Sequence, residues 1–254
     1  MSDDTVEKVA DAILSLGKPA LCLDFDGTLV EIAPRPEAIA VAEELPGLLA
    51  ALHGKLDRRL AIITGRAHAD LSKYLDVTAF PVASSHGAEF SVAGSADVQS
   101  LIDGADLDPL RPLLADVISP LEGVYLEDKG SAIAVHTRPS PDTHDGLIKT
   151  LSGLATDYEG LHVASGKGIV EVRLARENKG TAVARLATLD EWAGASPVMI
   201  GDDTTDNDGM EAAKRFGGFG VQVGDGSDGT KLSHAALTLG SVQEAHALLR
   251  RLID

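Results

Sequence analysis

Two aspartates behind a short apolar run are the first residues of the chain whose types and spacing suggest chemistry. Asp24 and Asp26 follow Leu21–Leu23, a run short enough for a buried strand, and Gly27 comes directly after them. Alternate side chains of a strand point to opposite faces, so the two carboxylates share a site only if the strand ends near Asp24. Gly27 supplies the backbone freedom for such a turn. Carboxylates at this end of a strand lie where α/β folds bind ligands, although two turn-forming aspartates fit the same residues.

A second group of carboxylates follows another apolar run, Val198–Ile200, much later in the chain. Four aspartates fall within residues 202–208, and carboxylates this crowded repel one another and have raised pKa values unless a cation is bound. Oxygen ligands suit Mg²⁺, which also keeps water and phosphate oxygens around it. An EF-hand is excluded, because its nearest register puts Thr204 at the first position and Arg215 at the twelfth, where Glu is required. An acidic, solvated helix start also fits.

Two further segments contain residues suited to holding a phosphate. Thr64-Gly65-Arg66 follows the apolar run Leu60–Ile63, and a hydroxyl with backbone N–H groups at a strand end can bind a phosphoryl oxygen. A helix N-cap at Thr64 explains the same residues equally well. Lys179 stands just before a predicted helix, where the helix dipole disfavours a cation, and this placement suggests a nearby anion. A solvated surface lysine is the simpler alternative.

The order of apolar and amphipathic segments predicts an α/β fold with a smaller insertion. Strand-like runs alternate with helical ones at both ends of the chain, which indicates a parallel sheet with helical crossovers. From about residue 107 the strands come as hairpin neighbours, which indicates an α+β module. We therefore predict a core of residues 1–104 and 175–254 with an inserted domain of residues 105–174. The predicted helices are 4–16, 43–52 with its stop at Gly54, 67–75, 109–117, 142–157, 180–192, a helix containing 211–216, and 242–252.

Composition and charge argue against several classes of partner. The formal net charge of −17 disfavours binding to nucleic acid or to an anionic membrane surface. An anionic substrate would therefore need local positive charge or a metal ion at its site. The chain has no apolar run long enough to span a bilayer and no N-terminal segment typical of a signal peptide. The only cysteine, Cys22, allows no intrachain disulfide, so we expect a cytoplasmic protein, and we expect it to be a monomer.

Polar residues of both charges lie beside the turns of the predicted insertion. Hairpin side chains of this kind are usually just solvated, but carboxylates, amines and a histidine together can also hydrogen-bond the hydroxyl groups of a polyol. Both interpretations fit the sequence at this point. The residues are Glu127, Lys129, His136, Arg138, Lys167 and Glu171.

Taken in order, four segments of the chain resemble the motifs of the haloacid-dehalogenase-like (HAD) phosphatases. They are Asp24–Leu29, Thr64–Arg66, Lys179–Gly180 and Gly201–Asp206. More narrowly, the chain is similar to trehalose-6-phosphate phosphatases over roughly residues 21–224. The resemblance implies a Rossmann-like HAD core with a parallel sheet and an α+β cap domain inserted between the second and third motifs. The segments that carry the narrower resemblance are Ser85–Glu89, Glu127–Lys129, His136–Arg138, Ser165–Lys167 and Glu171.

The resemblance implies a role for each residue of the core site. Asp24 is expected to be the nucleophile that forms an aspartyl phosphate. Asp26 is expected to protonate the leaving sugar oxygen and then to activate water. Thr64 and Lys179 are expected to bind the phosphoryl oxygens. The residues expected to hold Mg²⁺ are Asp24, Asp26 through its backbone carbonyl, and Asp202, with Asp203 and Asp206 in support.

The resemblance also implies which residues contact the substrate, and two positions depart from the family. Asn207 stands where the family usually has Glu, and Thr137 stands where it commonly has Tyr. The first departure is expected to alter a contact that supports the metal site, and the second lies in the cap that selects the sugar. The residues expected to bind substrate are Gly65, Arg66, His86, Gly87, Glu127, Lys129, Arg138, Lys167 and Glu171.

The activity implied by the resemblance is Mg²⁺-dependent hydrolysis of trehalose 6-phosphate to trehalose and phosphate, a step of trehalose biosynthesis. Phosphate monoesters hydrolyse extremely slowly without a catalyst, so a metal, a lysine, a nucleophile and an acid would have to act on one phosphorus. A cap that closes over the substrate would exclude water and add selectivity. Three alternatives stay open: a phosphatase of another sugar phosphate or of a glycosyl-phosphoglycerate, a phosphosugar mutase with a similar core, and an inactive sugar-phosphate sensor.

Overall fold

In a computed structural model of the chain, the described residues are 2–101, 107–129, 132–156, 158, 161–166, 168–174, 177–224, 226 and 229–254. They form two compact units, the first made of Met1–Gln99 and Asn178–Asp254 and the second of Ser100–Glu177. The predicted domain boundaries at 104/105 and 174/175 fall mostly on residues outside this description, so the exact boundaries stay predictions.

Strands and helices alternate in the first unit, whereas hairpins dominate the second. In chain order the strands are β1 Pro19–Leu23, β2 Leu60–Ile63, β3 Val82–Ser84, β4 Glu89–Ser91, β5 Gln99–Ser100, β6 Tyr125–Asp128, β7 Ala132–His136, β8 Leu161–Gly166, β9 Ile169–Leu174, β10 Ser196–Gly201, β11 Phe219–Val223 and β12 Ala235–Leu239. The helices are α1 Ser2–Leu14, α2 Leu45–Lys55, α3 His68–Leu71, α4 Leu110–Ile118, α5 His144–Ala155, α6 Lys179–Leu186, α7 Asp206–Arg215 and α8 Val242–Ile253.

The first unit is built on one sheet with the strand order β12-β11-β10-β1-β2-β3-β4-β5. Neighbouring strands are parallel from β12 through β3, and β4 returns antiparallel to β3. The chain moves outward from β1 to β3 in its first part and from β10 to β12 in its last part. The connections therefore change direction between β1 and β10, and ligands of such sheets bind at the carboxyl ends of the strands at that point.

Burial on both faces explains why β1 and β2 consist of continuous apolar runs. Residues 20–23 and the whole of β2 are buried, as expected for parallel strands covered by helices on both sides. Helix α8 packs against α1 and α2. Because aromatic residues are few, the core consists mainly of aliphatic side chains, including Val9, Ile13, Leu49 and Leu248.

The second unit contains a four-stranded antiparallel sheet in the order β6-β7-β9-β8. Helix α5 packs against β8 and β9. Alternation along the strands puts apolar residues on one face of this sheet and most of the polar ones on the other. The apolar face carries the buried side chains of Ile133, Val135, Val170 and Val172, and Leu147 and Leu151 of α5 are buried as well.

Most predicted elements are present, but the second helix starts and stops differently. Helix α2 continues past Gly54 to Lys55, and the chain reverses at Asp57 and Arg58, whose φ angles are 46° and 68°. Gly54 is therefore not the helix stop that the sequence predicted. Pro46 lies in the first turn of the helix, where the fixed φ of proline favours a helix start.

The two helices that follow the predicted phosphate-binding segments are shorter than expected. Helix α3 covers only His68–Leu71 of the predicted 67–75, because the amides of Lys73 and Tyr74 bond three residues back in the tighter pattern of a 3₁₀ turn. Helix α6 ends at Leu186, and a 3₁₀ helix at Asp190–Trp192 replaces the rest of the predicted 180–192. The sequence did not indicate β4 or β5. Across the described residues, every helix is too short or too polar to serve as a membrane span.

Candidate active site

Three adjacent parallel strands bring the predicted core residues to one edge of the sheet. Asp24 follows β1, Thr64 follows β2 and Asp202 follows β10, and β1 lies between the other two strands. The backbone amide of Asp24 donates to the carbonyl of Ile200 at 2.9 Å, so regular pairing holds the chain as far as Asp24. The predicted turn follows directly after Asp24, and it changes the direction of the chain.

Lys179 is a buried cation between two carboxylates. Its Nζ lies 2.8 Å from Oδ1 of Asp24 and 2.7 Å from Oδ1 of Asp206, and its side chain is 3% exposed. Burial lowers the pKa of Lys179, but Asp206 and Asp24 outweigh burial and raise it above its ordinary value, so the amine is charged at neutral pH. Asn178 caps α6 by accepting a hydrogen bond from the amide of Thr181. The alternative of a solvated surface lysine is therefore wrong.

Three carboxylates gather around this cation. Oxygens of Asp24, Asp202 and Asp206 lie within 4.8 Å of one another. Burial raises the pKa of Asp24 and that of Asp206, and burial together with the charge of Asp206 raises the pKa of Asp202 to about 7. Three carboxylates against one ammonium leave a negative cluster, and its oxygen donors fit a hard divalent cation. A solvated acidic helix start is wrong for Asp206, which is completely buried.

Glycines allow the carboxylates to approach so closely. Gly27 has a φ of 78°, and a Cβ at this position would lie 2.0 Å from Oδ2 of Asp202. A Cβ on Gly201 would lie 2.1 Å from Cγ of Asp206. The buried hydroxyl of Thr28 donates to Oδ1 of Asp202 at 3.2 Å and fixes its orientation. The turn after β1 and the loop after β10 therefore fit together only if these two positions lack side chains.

The loop after β10 is held by its own hydrogen bonds. The amide of Asp203 donates to Oδ2 of Asp206 at 2.9 Å. The carboxylate of Asp203 accepts from the hydroxyls of Thr204 and Thr205, each at 3.3 Å. One oxygen of Asp206 thus binds Lys179 and the other binds the loop, so Asp206 fixes the cation and the loop together.

The side chain of Arg66 binds Asp26, a contact that the sequence did not indicate. Nε donates to Oδ2 of Asp26 at 2.6 Å and Nη2 donates to Oδ1 at 2.7 Å. Nη1 donates to Asp70 at 2.6 Å, and the guanidinium carbon lies 5.7 Å from the ring centre of Phe25 and 5.3 Å from that of Tyr74. Burial lowers the pKa of Arg66, but Asp26 and Asp70 outweigh burial and raise this pKa above its ordinary value. The only local signal was Asp70, four residues after Arg66.

The loop after β3 places His86 beside Gly65. Ser85 and His86 both have left-handed backbone angles, with φ of 49° and 57°, which are uncommon for residues with a side chain. Their amides donate to the carbonyls of Arg66 at 2.7 Å and Thr64 at 2.9 Å. A Cβ on Gly65 would lie 2.6 Å from Nε2 of His86. The imidazole therefore lies directly against the backbone of the predicted phosphate-binding segment.

Glu89 on β4 braces this loop. Its Oε2 accepts from the hydroxyl of Ser84 at 2.8 Å, from that of Ser85 at 3.1 Å and from the amide of His68 at 2.8 Å. Gly87 has a φ of 100°, and a Cβ there would lie 2.7 Å from the carbonyl oxygen of Asn178. The loop is thus tied to α3 on one side and lies against the start of α6 on the other.

Thr64 is buried, and its hydroxyl has a local partner. Oγ1 accepts from the amide of Arg66 at 3.1 Å. Helix α3 begins at His68, and its N-cap residue is Ala67. The prediction of a helix N-cap at Thr64 is therefore wrong, and the hydroxyl instead shapes a turn at the end of β2.

Some polar residues of the second unit pair with one another. Nζ of Lys129 lies 3.1 Å from Oε2 of Glu171, and Nε2 of His136 lies 2.8 Å from Oε2 of Glu127. Gly168 packs closely on Arg138, since a Cβ on the glycine would lie 2.3 Å from Cγ of the arginine. Lys167, which the sequence also placed in this group, lies outside the described residues.

The two departures from the family pattern have partners in the structure. Oδ1 of Asn207 accepts from the amide of His234 at 3.2 Å and from the hydroxyl of Ser233 at 3.4 Å, so it connects α7 to the segment before β12. Thr137 is buried, and its hydroxyl lies 2.8 Å from Nδ1 of His144. Thr137 therefore contacts α5 inside the second unit.

The fold, with these side chains at the carboxyl edge of a parallel sheet, is that of capped phosphatases of the haloacid-dehalogenase-like superfamily. The C-terminal domain of a trehalose-6-phosphate phosphatase from Candida albicans superposes with a TM-score of 0.83 and covers 98% of this chain and 96% of its own. Its sequence is only 22% identical, so this comparison shows similarity of fold alone.

Comparisons of sequence show the family. The Trehalose-phosphatase family model matches residues 22–243. A probable trehalose-phosphate phosphatase of Sinorhizobium fredii is 36% identical over 230 residues, which are 90% of this chain and 84% of that protein. A trehalose-6-phosphate phosphatase of Escherichia coli is 33% identical over 211 residues, 83% of this chain and 79% of that protein. The chain belongs to the trehalose-phosphatase family and is a phosphoric monoester hydrolase.

Proposed function

We propose that the enzyme hydrolyses trehalose 6-phosphate to trehalose and phosphate, with Mg²⁺ as cofactor and Asp24 as the nucleophile, in trehalose biosynthesis. The observation that carries the proposal is the position of Asp24 at the end of β1. It lies 2.8 Å from the buried ammonium of Lys179 and within 4.8 Å of Asp202 and Asp206. A nucleophile, a cation and an acidic cluster are thereby held in one small volume.

The acidic cluster fits Mg²⁺, because its buried oxygens carry more negative charge than Lys179 offsets. Asp24, Asp202 and the backbone carbonyl of Asp26 would hold the ion, with Asp203 and Asp206 supporting them. When bound, the ion supplies positive charge that offsets the charge on the phosphoryl oxygens.

The residues of the chain divide the two steps of hydrolysis between them. A carboxylate oxygen of Asp24 attacks phosphorus, and the bond from phosphorus to the sugar oxygen breaks as Asp26 gives that oxygen its proton. Asp26 then takes a proton from water, whose oxygen attacks the aspartyl phosphate and releases phosphate and the Asp24 carboxylate. The ammonium of Lys179 and the hydroxyl of Thr64 bind the phosphoryl oxygens and stabilise the charge that develops on them.

Substrate contacts are proposed on both units of the chain. Gly65, Gly87 and His86 lie on the two loops that meet beside Thr64, and Arg66 contributes through its ion pair with Asp26. In the second unit, the ion pair of Lys129 and Glu171 offers a donor and an acceptor side by side to sugar hydroxyls. The residues proposed to bind the sugar are Glu127, Lys129, Arg138, Lys167 and Glu171.

The test is release of phosphate from trehalose 6-phosphate by the wild type and by Asp24→Asn. We expect the substitution to abolish release, because an amide is not a nucleophile, while the unfolding midpoint shows that the chain still folds. Asp208→Asn is the matched control, since it removes an exposed carboxylate from the same acidic segment and should keep wild-type activity. Release by Asp24→Asn at the wild-type rate would refute the assignment of the nucleophile.

A panel of substrates separates the alternatives. A phosphatase of another sugar phosphate or of a glycosyl-phosphoglycerate would prefer that compound to trehalose 6-phosphate. A mutase would return an isomeric sugar phosphate in place of free phosphate, and a sensor would bind without turnover. EDTA should stop phosphate release, and only Mg²⁺ among the alkali and alkaline-earth ions should restore it fully.

We also propose a monomer in the cytoplasm. Cys22 is buried, and burial raises the pKa of its thiol, so the fold requires no oxidising compartment. Sedimentation of the purified protein and fractionation of cells test these two statements.

A further inference from the structure

Tyr125 and His136 form an aromatic pair on the polar face of the sheet in the second unit. They lie opposite each other across β6 and β7, with ring centres 4.6 Å apart and planes 9° from parallel. Tyr125 is 53% exposed, and among the described residues of this unit it is the only large hydrophobic side chain with such exposure. The Tyr125 ring therefore stacks on His136 while more than half of the residue stays accessible to a ligand.

The polar residues around the pair occupy the same face. Tyr125 pairs with His136, Glu127 pairs with Ala134, and Ala134 and Ala164 both pair with Glu171. Residues that pair directly point to the same side of a sheet. The two alanines therefore form a low floor on either side of Glu171, with Ala134 on β7 between Glu127 and Glu171 and Ala164 on β8 beyond Glu171.

Hydrogen bonds fix the groups that border this floor. Nε2 of His136 binds Glu127 at 2.8 Å, which holds the imidazole plane, and through stacking it also holds the ring of Tyr125. Lys129 binds Glu171 at 3.1 Å on the far side. The face thus combines an exposed aromatic surface with carboxylates and an amine, all held in place before a ligand arrives.

This combination matches the chemistry of a pyranose ring. Such a ring has an apolar face of C–H groups and a rim of hydroxyls, so an aromatic ring can cover the face while charged groups bind the rim. We propose that the pair of Tyr125 and His136 is the surface on which a glucosyl ring of the substrate stacks. Tyr125 is then a specificity-determining residue, a role that rests on the function proposed above.

The test compares Tyr125→Ala with Tyr125→Phe on a sugar phosphate and on acetyl phosphate, which has no sugar. Loss of the ring should lower kcat/KM for trehalose 6-phosphate about fivefold, mainly through KM, because an aromatic contact is worth about 1 kcal/mol. Tyr125→Phe keeps the ring and should keep most of the activity. Neither substitution should change kcat/KM for acetyl phosphate.

Phe216→Ala is the control, because Phe216 is an aromatic residue of the first unit with 41% exposure. It should leave both substrates at wild-type values. A Tyr125→Ala enzyme with unchanged kcat/KM for the sugar phosphate would overturn the proposal. Equal losses on both substrates with a lowered unfolding midpoint would also overturn it, because they would show that the pair only stabilises the hairpin.

A binding experiment keeps this proposal separate from the proposed function. Trehalose titrated into the wild type should shift the NMR signals of the Tyr125 ring, and Tyr125→Ala should lose the accompanying shifts of the β6 and β7 amides. If trehalose 6-phosphate is not hydrolysed but trehalose still produces these shifts, the proposed function fails and the stacking surface stands. Absence of the shifts would overturn the stacking surface even if hydrolysis is confirmed.

Discussion

The ion pairs of Lys179 and Arg66 differ in how deeply their carboxylates are buried. Lys179 is enclosed with Asp24 and Asp206, so removing it would leave buried carboxylates unpaired and would cost about 3–5 kcal/mol of stability. A substitution of Lys179 would therefore confuse loss of fold with loss of catalysis. The pair of Arg66 and Asp26 is better suited to experiment, because the side chain of Asp26 is 35% exposed.

We expect Arg66→Lys to lower kcat for the sugar phosphate about tenfold to a hundredfold, part of what a general acid contributes. An ammonium cannot bind both oxygens of Asp26 as the guanidinium does, so the carboxyl would lose its fixed orientation. Steady-state release of phosphate measures kcat and KM separately. A role in positioning Asp26 should lower kcat more than it raises KM.

Lys73→Ala is the control for this prediction. Lys73 is exposed and binds Asp70 at 3.0 Å. Asp70 is also bound by Arg66, so the loss of Lys73 alters a carboxylate partner of Arg66 and leaves Asp26 unchanged. We expect wild-type kinetics from it. An Arg66→Lys enzyme that kept its kcat while its KM rose would show that Arg66 acts on the substrate directly.

At the scale of elements, the proposed metal site depends on the turn after β1. Gly27→Ala would put a Cβ 2.0 Å from the carboxylate of Asp202 and would strain a backbone with φ of 78°. Asp202 would have to move, and we expect the affinity for Mg²⁺ to fall at least about tenfold, as for other changes that disturb metal ligands. Titration of phosphate release with Mg²⁺ measures this change.

Gly94→Ala separates backbone strain from the clash. Gly94 has a φ of 81°, but a Cβ there would meet nothing within 4 Å. It should cost similar stability and leave the Mg²⁺ requirement unchanged. Equal affinities for Mg²⁺ in the two variants would mean that the close approach of Gly27 and Asp202 does not matter for the metal.

The sequence predicted the elements that local patterns determine. Strands β1, β2 and β10 are continuous apolar runs with polar residues directly after them, so their ends and the residues of the site could be predicted together. Where α3 and α6 end could not be predicted in this way, because helical spacing continues past Leu71 and Leu186 although the hydrogen bonding changes.

The contacts that the sequence did not indicate join residues distant in the chain or depend on strand register. The ion pair of Arg66 with Asp26 forms only because β1 and β2 are neighbours. Tyr125 meets His136 because of the pairing of β6 with β7, and a shift by one residue would put the two rings on opposite faces. The left-handed φ of Arg58 also has no sequence signal, since glycine, asparagine and aspartate are the usual residues at such angles.

At the scale of the whole molecule, the net charge of −17 opposes an anionic substrate. Salt screens this repulsion beyond about 10 Å at 0.1 M ionic strength, so capture depends on charges at the site itself. Lys179 and a bound cation would supply them. The stability of the folded chain should depend on the same cation, because the site concentrates buried carboxylates.

The direction of this dependence follows from Asp202. Its pKa is about 7 in the folded chain, against an ordinary value of 3.8. Between these two values the folded state keeps a proton that the unfolded chain has released, so the free energy of unfolding of the metal-free protein falls as pH rises through the window. Above the folded pKa the loss is complete. Burial moves the pKa of Asp24 and that of Asp206 in the same direction.

We therefore expect the unfolding midpoint in EDTA, measured by circular dichroism, to fall between about pH 5 and about pH 8. At the upper pH, Mg²⁺ at about 100 times its Kd should restore about 2.7 kcal/mol. Asp202→Asn has no charge to bury, so its midpoint in EDTA should exceed that of the wild type at the upper pH and should respond little to Mg²⁺. Asp208→Asn removes an exposed carboxylate of the same segment and should follow the wild type at every pH. If Asp202→Asn and the wild type gave parallel curves in EDTA, Asp202 would not carry the uncompensated buried charge on which the metal site depends.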